Sequence, residues 1–330
     1  MRCPILNELP PSPKGKTGWP WTEESQQLPD TMPDGSPWPK ISIVTPSYNQ
    51  GSFLEETIRS VLLQGYPDLE YIIIDGGSTD NSKEIIKKYE KLLAYWVSEK
   101  DNDQSDAINK GFKRATGEIY AWLNSDDTYE PRALGEAALG MNSHPEADVI
   151  SGQCRTNGYR NGDYMLAPSP LREYTDFLKV GSNWMSEKLI VQPEAFFRKR
   201  AYEAAGGLSK RTYVLDWELW LKMAREKCRF HSVNKHWANL RMHPGRKTET
   251  NDQAYAELCL AAWSYLMKDW DALGNEAKVI ADDIFKAMDK VSEEQAKKHA
   301  HLEGVMKSVL KSPSFRIGHF ITRFFKLGKK

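Results

Sequence analysis

The chain has 330 residues, 40% of them hydrophobic, enough for one large α/β domain with additions or for two domains. Lys plus Arg and Asp plus Glu each total 45, and this zero net charge argues against general nucleic-acid binding through a phosphate-tracking surface. Cys3, Cys154, Cys228 and Cys259 form no CxxC pair, and neither a signal-peptide core nor an eighteen-residue apolar run is present, so a reducing cytoplasm is expected and neither a zinc site nor a membrane span is.

Residues 1–39 hold nine of the eighteen prolines together with Trp19, Trp21 and Trp38, a composition that favours an extended arm over a helix. Its indoles either pack on the adjoining domain or await a partner. From Lys40 strand and helix signals alternate. Ile41–Pro46 is a short β-rich run, after which Ser52 and Glu55 have capping-box spacing ahead of Leu54, Ile58, Val61 and Leu62 on one helical face. Glu70–Asp75 predicts a second strand, Ile85, Ile86, Tyr89, Leu92 and Leu93 a second helix, and Ala94–Ser98 a third strand. Residues 106–115 read as a helix and Glu118–Asn124 as a fourth strand. Such alternation predicts a parallel sheet covered by helices, because each right-handed crossover needs one. Beyond it, Asp148–Gly152 and Glu194–Lys199 predict strands, Trp217–Arg225 a helix, Arg229–Met242 one or two strands, and Asp252–Leu310 mostly helix.

In an open parallel sheet, ligands sit where the loops converge beyond the carboxyl ends of the strands. The polar residues here fall at those ends: Thr45 to Asn49, Asp75 to Asp80, Asp101 to Asp106, and Asn124 to Asp127. Asn49-Gln50-Gly51 and Gly76-Gly77 also read as turn formers, and Ser78 and Asp80 as helix caps. Asp126 and Asp127 pose a sharper question, since adjacent like charges repel and resist desolvation unless a cation or a proton sits between them. Hard oxygen ligands at a sheet edge suit Mg²⁺ or Mn²⁺, with phosphate oxygens and water completing the shell. Neither GxxxxGK[ST] nor GxGxxG follows the first strand, which points away from P-loop and dinucleotide enzymes.

Taken together, SIVTPSYNQGSFLEETIRSVLLQGYPDLEYIIIDGGSTDNS and QSDAINKGFKRATGEIYAWLNSDD resemble the nucleotide-sugar half of family 2 glycosyltransferases, and the resemblance extends over roughly residues 40–245. It implies a GT-A-like α/β fold, a mostly parallel sheet flanked by helices, and inverting transfer from a nucleotide-diphosphate sugar with a divalent cation, Mn²⁺ or Mg²⁺. On the matching positions it implies a nucleoside held by Pro46, Ser47, Tyr48 and Asp75, with Asn49, Gly77, Ser78, Asn124 and Ser125 also among the nucleotide-sugar contacts. Asp75 would accept from the base imide, and Tyr48 would offer a face for stacking. The family's DXD metal motif corresponds to Asn124-Ser125-Asp126; because Asn replaces the first Asp, metal binding rests on Asp126 with Asp127 beside it. Many relatives carry an Arg where this chain has Ile108, which leaves Asp106, Lys110 and Lys113 near the diphosphate.

The same resemblance reaches GGLSKRTYVLDWELWLKMA, where Asp216 stands at the catalytic carboxylate and Leu215 replaces a frequent Glu. Asp216 would be the base, with Glu218 in reserve; an N-cap for the following helix is the structural alternative. Gln192, in Gln192-Pro193-Glu194, lines the donor or acceptor pocket or belongs to an edge strand. His243 matches a late histidine that approaches the metal or diphosphate, or is a lone surface side chain.

The division expected is an arm (1–39), a GT-A domain (40–245, split at 135 into nucleotide-sugar and acceptor halves), a helical region (246–311) and a basic tail (312–330). In the tail Ile317, Phe320, Ile321, Phe324 and Leu327 share a helical face among lysines and arginines, which suits an anionic membrane surface or packing on the domain. The expectation is a metal-dependent inverting glycosyltransferase acting on a glycan or lipid-linked acceptor in surface polysaccharide or glycolipid assembly. It would lie in the cytoplasm, peripheral at the inner face of the plasma membrane, with no nucleic-acid partner. A nucleotidyltransferase would use similar carboxylates but would show a basic loop where TPSYNQG stands, and a silent sugar-nucleotide-binding or glycan-binding scaffold would lack the base.

Overall fold

A computed structural model describes residues 1–159, 162–210, 213–243, 246 and 251–295. In chain order the elements are β1 (Ile41–Ser47), α1 (Gly51–Leu62), β2 (Leu69–Asp75), α2 (Ser82–Tyr89), β3 (Tyr95–Ser98), α3 (Gln104–Arg114), β4 (Ile119–Trp122), β5 (Thr128–Tyr129) and α4 (Ala133–Ser143). They continue as β6 (Val149–Tyr159), β7 (Gly162–Met165), α5 (Tyr174–Leu178), β8 (Ala195–Arg198), α6 (Lys199–Ala204), α7 (Leu215–Arg225), β9 (Phe230–Arg241), α8 (Asn251–Lys268), α9 (Trp270–Leu273) and α10 (Asn275–Gln295). One sheet runs β3-β2-β1-β4-β8-β6-β9-β5, with β7 paired to β6.

The pairs β3–β2, β2–β1 and β1–β4 are parallel, as the alternating pattern predicts. Beyond β4 the sheet is mixed: β8 runs antiparallel to β4 and β6, while β6 and β9 are parallel. Side chains of successive strand residues face opposite sides, and both faces of this sheet are buried. Ile41 and Ile43 of β1, Tyr71 and Ile73 of β2, and Ile119 and Ala121 of β4 pack under α1, α2 and α4. Val44, Ile72, Ile74, Tyr120 and Trp122 face α3 and α7, with α8 and α10 continuing that core.

The capping box expected at Ser52 and Glu55 does not form, because α1 begins one residue earlier and Ser52 lies within its first turn. The amide donors there are taken across the loops instead: Gly51 N–H donates to Asp80 Oδ2 at 2.8 Å and Gln50 N–H to Ser82 Oγ at 3.3 Å. At α3 the cap is local, with Asp103 Oδ1 accepting from Asp106 N–H at 2.9 Å.

The arm is extended and packs on the domain, with Trp21 and Trp38 buried and Trp19 Nε1 donating to the Tyr129 carbonyl at 2.8 Å. Arg59 of α1, buried, fastens it by donating to the carbonyls of Pro10, Pro20 and Trp21 and to Tyr89 Oη at 2.9–3.2 Å. Those carbonyls belong to irregular chain, so the guanidinium supplies donors that no ladder provides. The segment from Arg229 forms one long strand, β9. The basic segment 312–330 lies outside the described residues.

Candidate active site

The carboxyl ends of β1, β2, β3 and β4 lie along one sheet edge, and a cavity of about 790 Å³ opens beyond it. Pro46, Ser47 and Tyr48 at the end of β1 line it, as do Asn124, Ser125, Asp126 and Asp127 after β4, Gln192 before β8, and Asp216 in the first turn of α7. Nine of the residues expected from the sequence are thus brought together. Tyr48 is 58% exposed, a large aromatic face left open to solvent where a base could stack. Ser47 Oγ, Trp122 Nε1 and Gln192 Oε1 are buried with no hydrogen-bond partner among the described residues. All three residues line the cavity. The Gln192 amide orientation follows from its neighbour: the Trp122 carbonyl can only accept, so Nε2 faces it and Oε1 faces away.

Asn49, Asp75, Gly77 and Ser78 lie behind the cavity wall. The resemblance implies that Asp75 accepts from a base, but it is fully buried and its oxygens already accept from Gly77 N–H, Ser78 N–H, Ser78 Oγ and Ser98 Oγ at 2.5–3.2 Å. Those donors tie it to the loop after β2 and to Ser98. That loop needs glycine at Gly77, where φ is +82°. Asn49 joins the loops after β1 and β2, its N–H donating to Ser78 Oγ and its Oδ1 accepting from Thr79 N–H, both at 2.8 Å. Asp106 and Lys110 do not line the cavity either. They pair with each other at 3.4 Å, and Lys110 also reaches Glu99 at 3.3 Å.

The carboxylate pair divides. Asp126 Oδ2 lies 3.1 Å from His243 Nε2, beside the cavity, so the late histidine does approach the motif. Asp127 turns inward, 1% exposed, and its Oδ1 accepts from Arg241 N–H at 3.1 Å. Burial, and then the neighbouring Asp126 charge, push the Asp127 carboxyl up to about 8, so a proton relieves the repulsion on that side. Asn124 Oδ1 accepts from Gln104 Nε2 at 2.8 Å.

Asp216 is in the first turn of α7, two residues past the N-cap Val214 and not at the cap position expected for it, although its Oδ1 accepts from the Trp217 N–H at 2.8 Å. Burial raises its carboxyl from 3.8 to about 6, against the lowering effect of that hydrogen bond. It is thus ionised near neutrality yet more basic than an exposed carboxylate. Glu218 is buried away from the cavity, with Oε1 held by Tyr265 Oη at 3.1 Å. Unlike Asp216, it does not line the cavity.

Asp101, Asp103 and Gln104, in the polar run expected after the third strand, also line the cavity. Other lining residues are less clearly marked in the sequence. Arg246 brings a positive charge near Asp127, and Tyr164, Leu166, Trp184, Met185 and Leu189 form a largely apolar wall on the Asp216 side. Arg246 is legible in RMHPGRKT as a basic residue three positions after His243; of the wall, Tyr164 comes from β7 and the rest from segments with no periodic signal.

Residues 42–205 match the model of glycosyl transferase family 2. Among curated proteins, the chain is 38% identical over 128 residues to an uncharacterized glycosyltransferase of Nostoc sp. (strain PCC 7120), covering 36% of this chain and 39% of that protein. It is 39% identical over 99 residues to TuaG of Bacillus subtilis (strain 168), named for teichuronic acid biosynthesis, covering 29% and 39%. The chain therefore matches about two-fifths of the length of these relatives. Among solved structures, S. aureus TarS 1-349 in complex with UDP-GlcNAc superposes with a TM-score of 0.55 at 18% identity, over 67% of this chain and 65% of that one. The mannosyltransferase PcManGT of Pyrobaculum calidifontis, in complex with GDP-Man and Mn²⁺, gives 0.55 at 18%, over 87% and 85%. The solved structures share the GT-A-like fold, and residues 42–205 form a glycosyl transferase family 2 domain.

Proposed function

We propose that this protein transfers a sugar from a nucleotide-diphosphate sugar to a hydroxyl of a glycan or lipid-linked acceptor, with inversion and with a divalent cation, in surface polysaccharide or glycolipid assembly. The observation that carries the reading is that Asp126, beside His243, and Asp216, held in the first turn of a helix far along the chain, line one cavity. The sugar nucleotides bound by TarS and PcManGT, and the pathway named for TuaG, support the donor class and the setting.

The donor set fits a cation that takes most of its shell from the substrate. Asp126 Oδ2 and His243 Nε2 supply one oxygen and one nitrogen, and no group of three or more His, Cys, Asp or Glu able to hold a metal occurs among the described residues. Mn²⁺ or Mg²⁺ held this way would complete its coordination with diphosphate oxygens and water. When bound, the ion would supply charge stabilisation to the departing diphosphate.

The rest of the chemistry belongs to the chain. Tyr48 stacks the base and Ser47 offers a hydroxyl at the nucleoside end. Asp216 accepts the proton of the acceptor hydroxyl as its oxygen bonds to the anomeric carbon, and the bond from that carbon to the diphosphate oxygen breaks with its electron pair leaving on the diphosphate. A carboxyl near 6 suits this task, ionised at neutral pH and still able to take a proton. The apolar wall of Trp184, Met185 and Leu189 limits water as a competing acceptor. Gln192 Oε1 awaits a hydroxyl donor from one of the sugars. No helix among the described residues is long and apolar enough to cross a membrane. In this proposal the basic segment 312–330 holds the protein at the cytoplasmic face of the membrane, and its removal should weaken sedimentation with anionic liposomes.

Thermal melts with Mn²⁺ and UDP-, GDP- or dTDP-sugars test the reading. One nucleotide class should stabilise the protein only with the metal, by about 2.7 kcal/mol at a hundred times its Kd. Absence of stabilisation by all three would defeat the proposal.

A further inference from the structure

We infer that Arg241 is a positioning residue that presets the two candidate metal ligands, Asp126 and His243, and that it does so through one face of α1. The inference rests on the metal reading above.

Arg241 ends β9, two residues before His243, and all its donor groups are spent on two other segments. Its N–H donates to Asp127 Oδ1 at 3.1 Å and its Nε to the Asp126 carbonyl, so it grips the carboxylate loop by backbone and side chain at once. Nη1 donates to Glu56 Oε2 at 3.0 Å, and Nη2 lies 3.1 Å from Thr57 Oγ1 and 3.4 Å from the Phe53 carbonyl. Thr57 Oγ1 is in turn 2.9 and 2.7 Å from the carbonyls of Ser125 and Asp127, to one of which it donates. The Phe53 ring meets the guanidinium at 5.1 Å and the His243 imidazole at 4.3 Å between centroids.

Three chain segments distant in sequence therefore meet at one guanidinium. The loop 124–127 has only the two residues of β5 after it and no ladder of its own, and His243 lies past the end of its strand. Neither ligand is itself a ladder residue: the β9 pairing ends at Arg241, with Met242 N–H still donating to the Asn157 carbonyl at 3.0 Å, and β5 begins two residues after Asp126. A planar guanidinium with five donors can tie both to α1, where a lysine's single ammonium cannot reproduce the fork. Ligands fixed before binding need no ordering when the ion arrives, which raises affinity without adding a contact.

The test is Mn²⁺ affinity in the presence of saturating UDP or GDP, read from the free-ion signal in electron paramagnetic resonance at a temperature where each variant is folded by circular dichroism. Arg241→Gln and Arg241→Lys should each weaken Mn²⁺ by tenfold or more, and Glu56→Gln by about threefold or more. Glu56 is a partly exposed partner, so it decides the matter if Arg241→Gln does not fold. Pulsed measurements should show the ¹⁴N coupling of His243 to Mn²⁺ in the wild type and its reduction in the variants. Variants that melt earlier but bind Mn²⁺ with wild-type affinity would overturn the inference while leaving the metal reading intact. A wild-type protein that binds no Mn²⁺ with either nucleotide overturns both.

Discussion

Replacing Asp216 by Asn removes a base while keeping its volume, and the structure sets two effects of opposite sign. Burial raises the carboxyl from 3.8 to about 6, so at neutral pH the folded protein bears the cost of an ionised group in a poorly solvated place. An acid whose folded pKa lies above its unfolded value weakens the fold as pH rises from the unfolded value to the folded one. Below about 3.8 that cost is absent, and above about 6 it is complete. The interval corresponds to a ceiling of about 3 kcal/mol. The side chain keeps contact with cavity water, so we expect Asp216→Asn to stabilise the protein by about 1–2 kcal/mol at pH 7.5. The gain should shrink as pH falls toward 4. Turnover should drop by about 10²–10⁴ in the same variant, since a positioned base contributes on that scale. In the wild type, kcat/KM should fall about tenfold per pH unit below about 6, where Asp216 of the free enzyme takes up its proton. Denaturant melts at two pH values and initial rates with the stabilising nucleotide sugar supply the data. Full turnover in Asp216→Asn would refute the base assignment, and a destabilisation equal at both pH values would refute the burial argument.

Three further outcomes follow from the same geometry. Asp126→Ala should weaken Mn²⁺-dependent nucleotide binding by calorimetry at least tenfold. Tyr48→Ala, at a 58% exposed side chain, should leave the melting temperature within experimental error and raise the donor KM by the equivalent of about 1–3 kcal/mol, the scale of a base stacked on an aromatic ring. Glu218→Gln should keep kcat within about twofold and lower the melting temperature, because its carboxylate is held by Tyr265 away from the cavity; a large loss of kcat in a folded variant would reopen the choice of base.

The parallel half of the sheet is legible because its signals are local. Ile41–Pro46, Glu70–Asp75, Ala94–Ser98 and Glu118–Asn124 are short β-rich runs, each separated from the next by an amphipathic helix, and this order admits few topologies. Polar residues clustered at the carboxyl ends of those runs are enough to locate the cavity. What stays hidden depends on long-range contacts. Asp80 caps α1 from 29 residues away, so the local Ser52–Glu55 pattern misleads. Asp75 and Asp126 look alike at their strand ends, yet four protein donors enclose the first while the second faces the cavity, a difference of tertiary packing that side-chain type does not encode. Asp126 and Asp127 separate for a similar reason: Arg241, more than a hundred residues later, takes the inner carboxylate. The arm is readable as extended but not as fastened, because its anchor is Arg59 in the middle of a helix that otherwise reads as an ordinary amphipathic one.

The central claim is a single displacement along an axis from Asp216 to the diphosphate held near Asp126. The most direct test is the anomeric configuration of the first product, read by ¹H NMR before it can equilibrate, from an α-linked nucleotide sugar and an acceptor hydroxyl. The account predicts a β-linked product formed only with the divalent cation present. An α-linked product, or a β-linked product formed at the same rate without the cation, would contradict it.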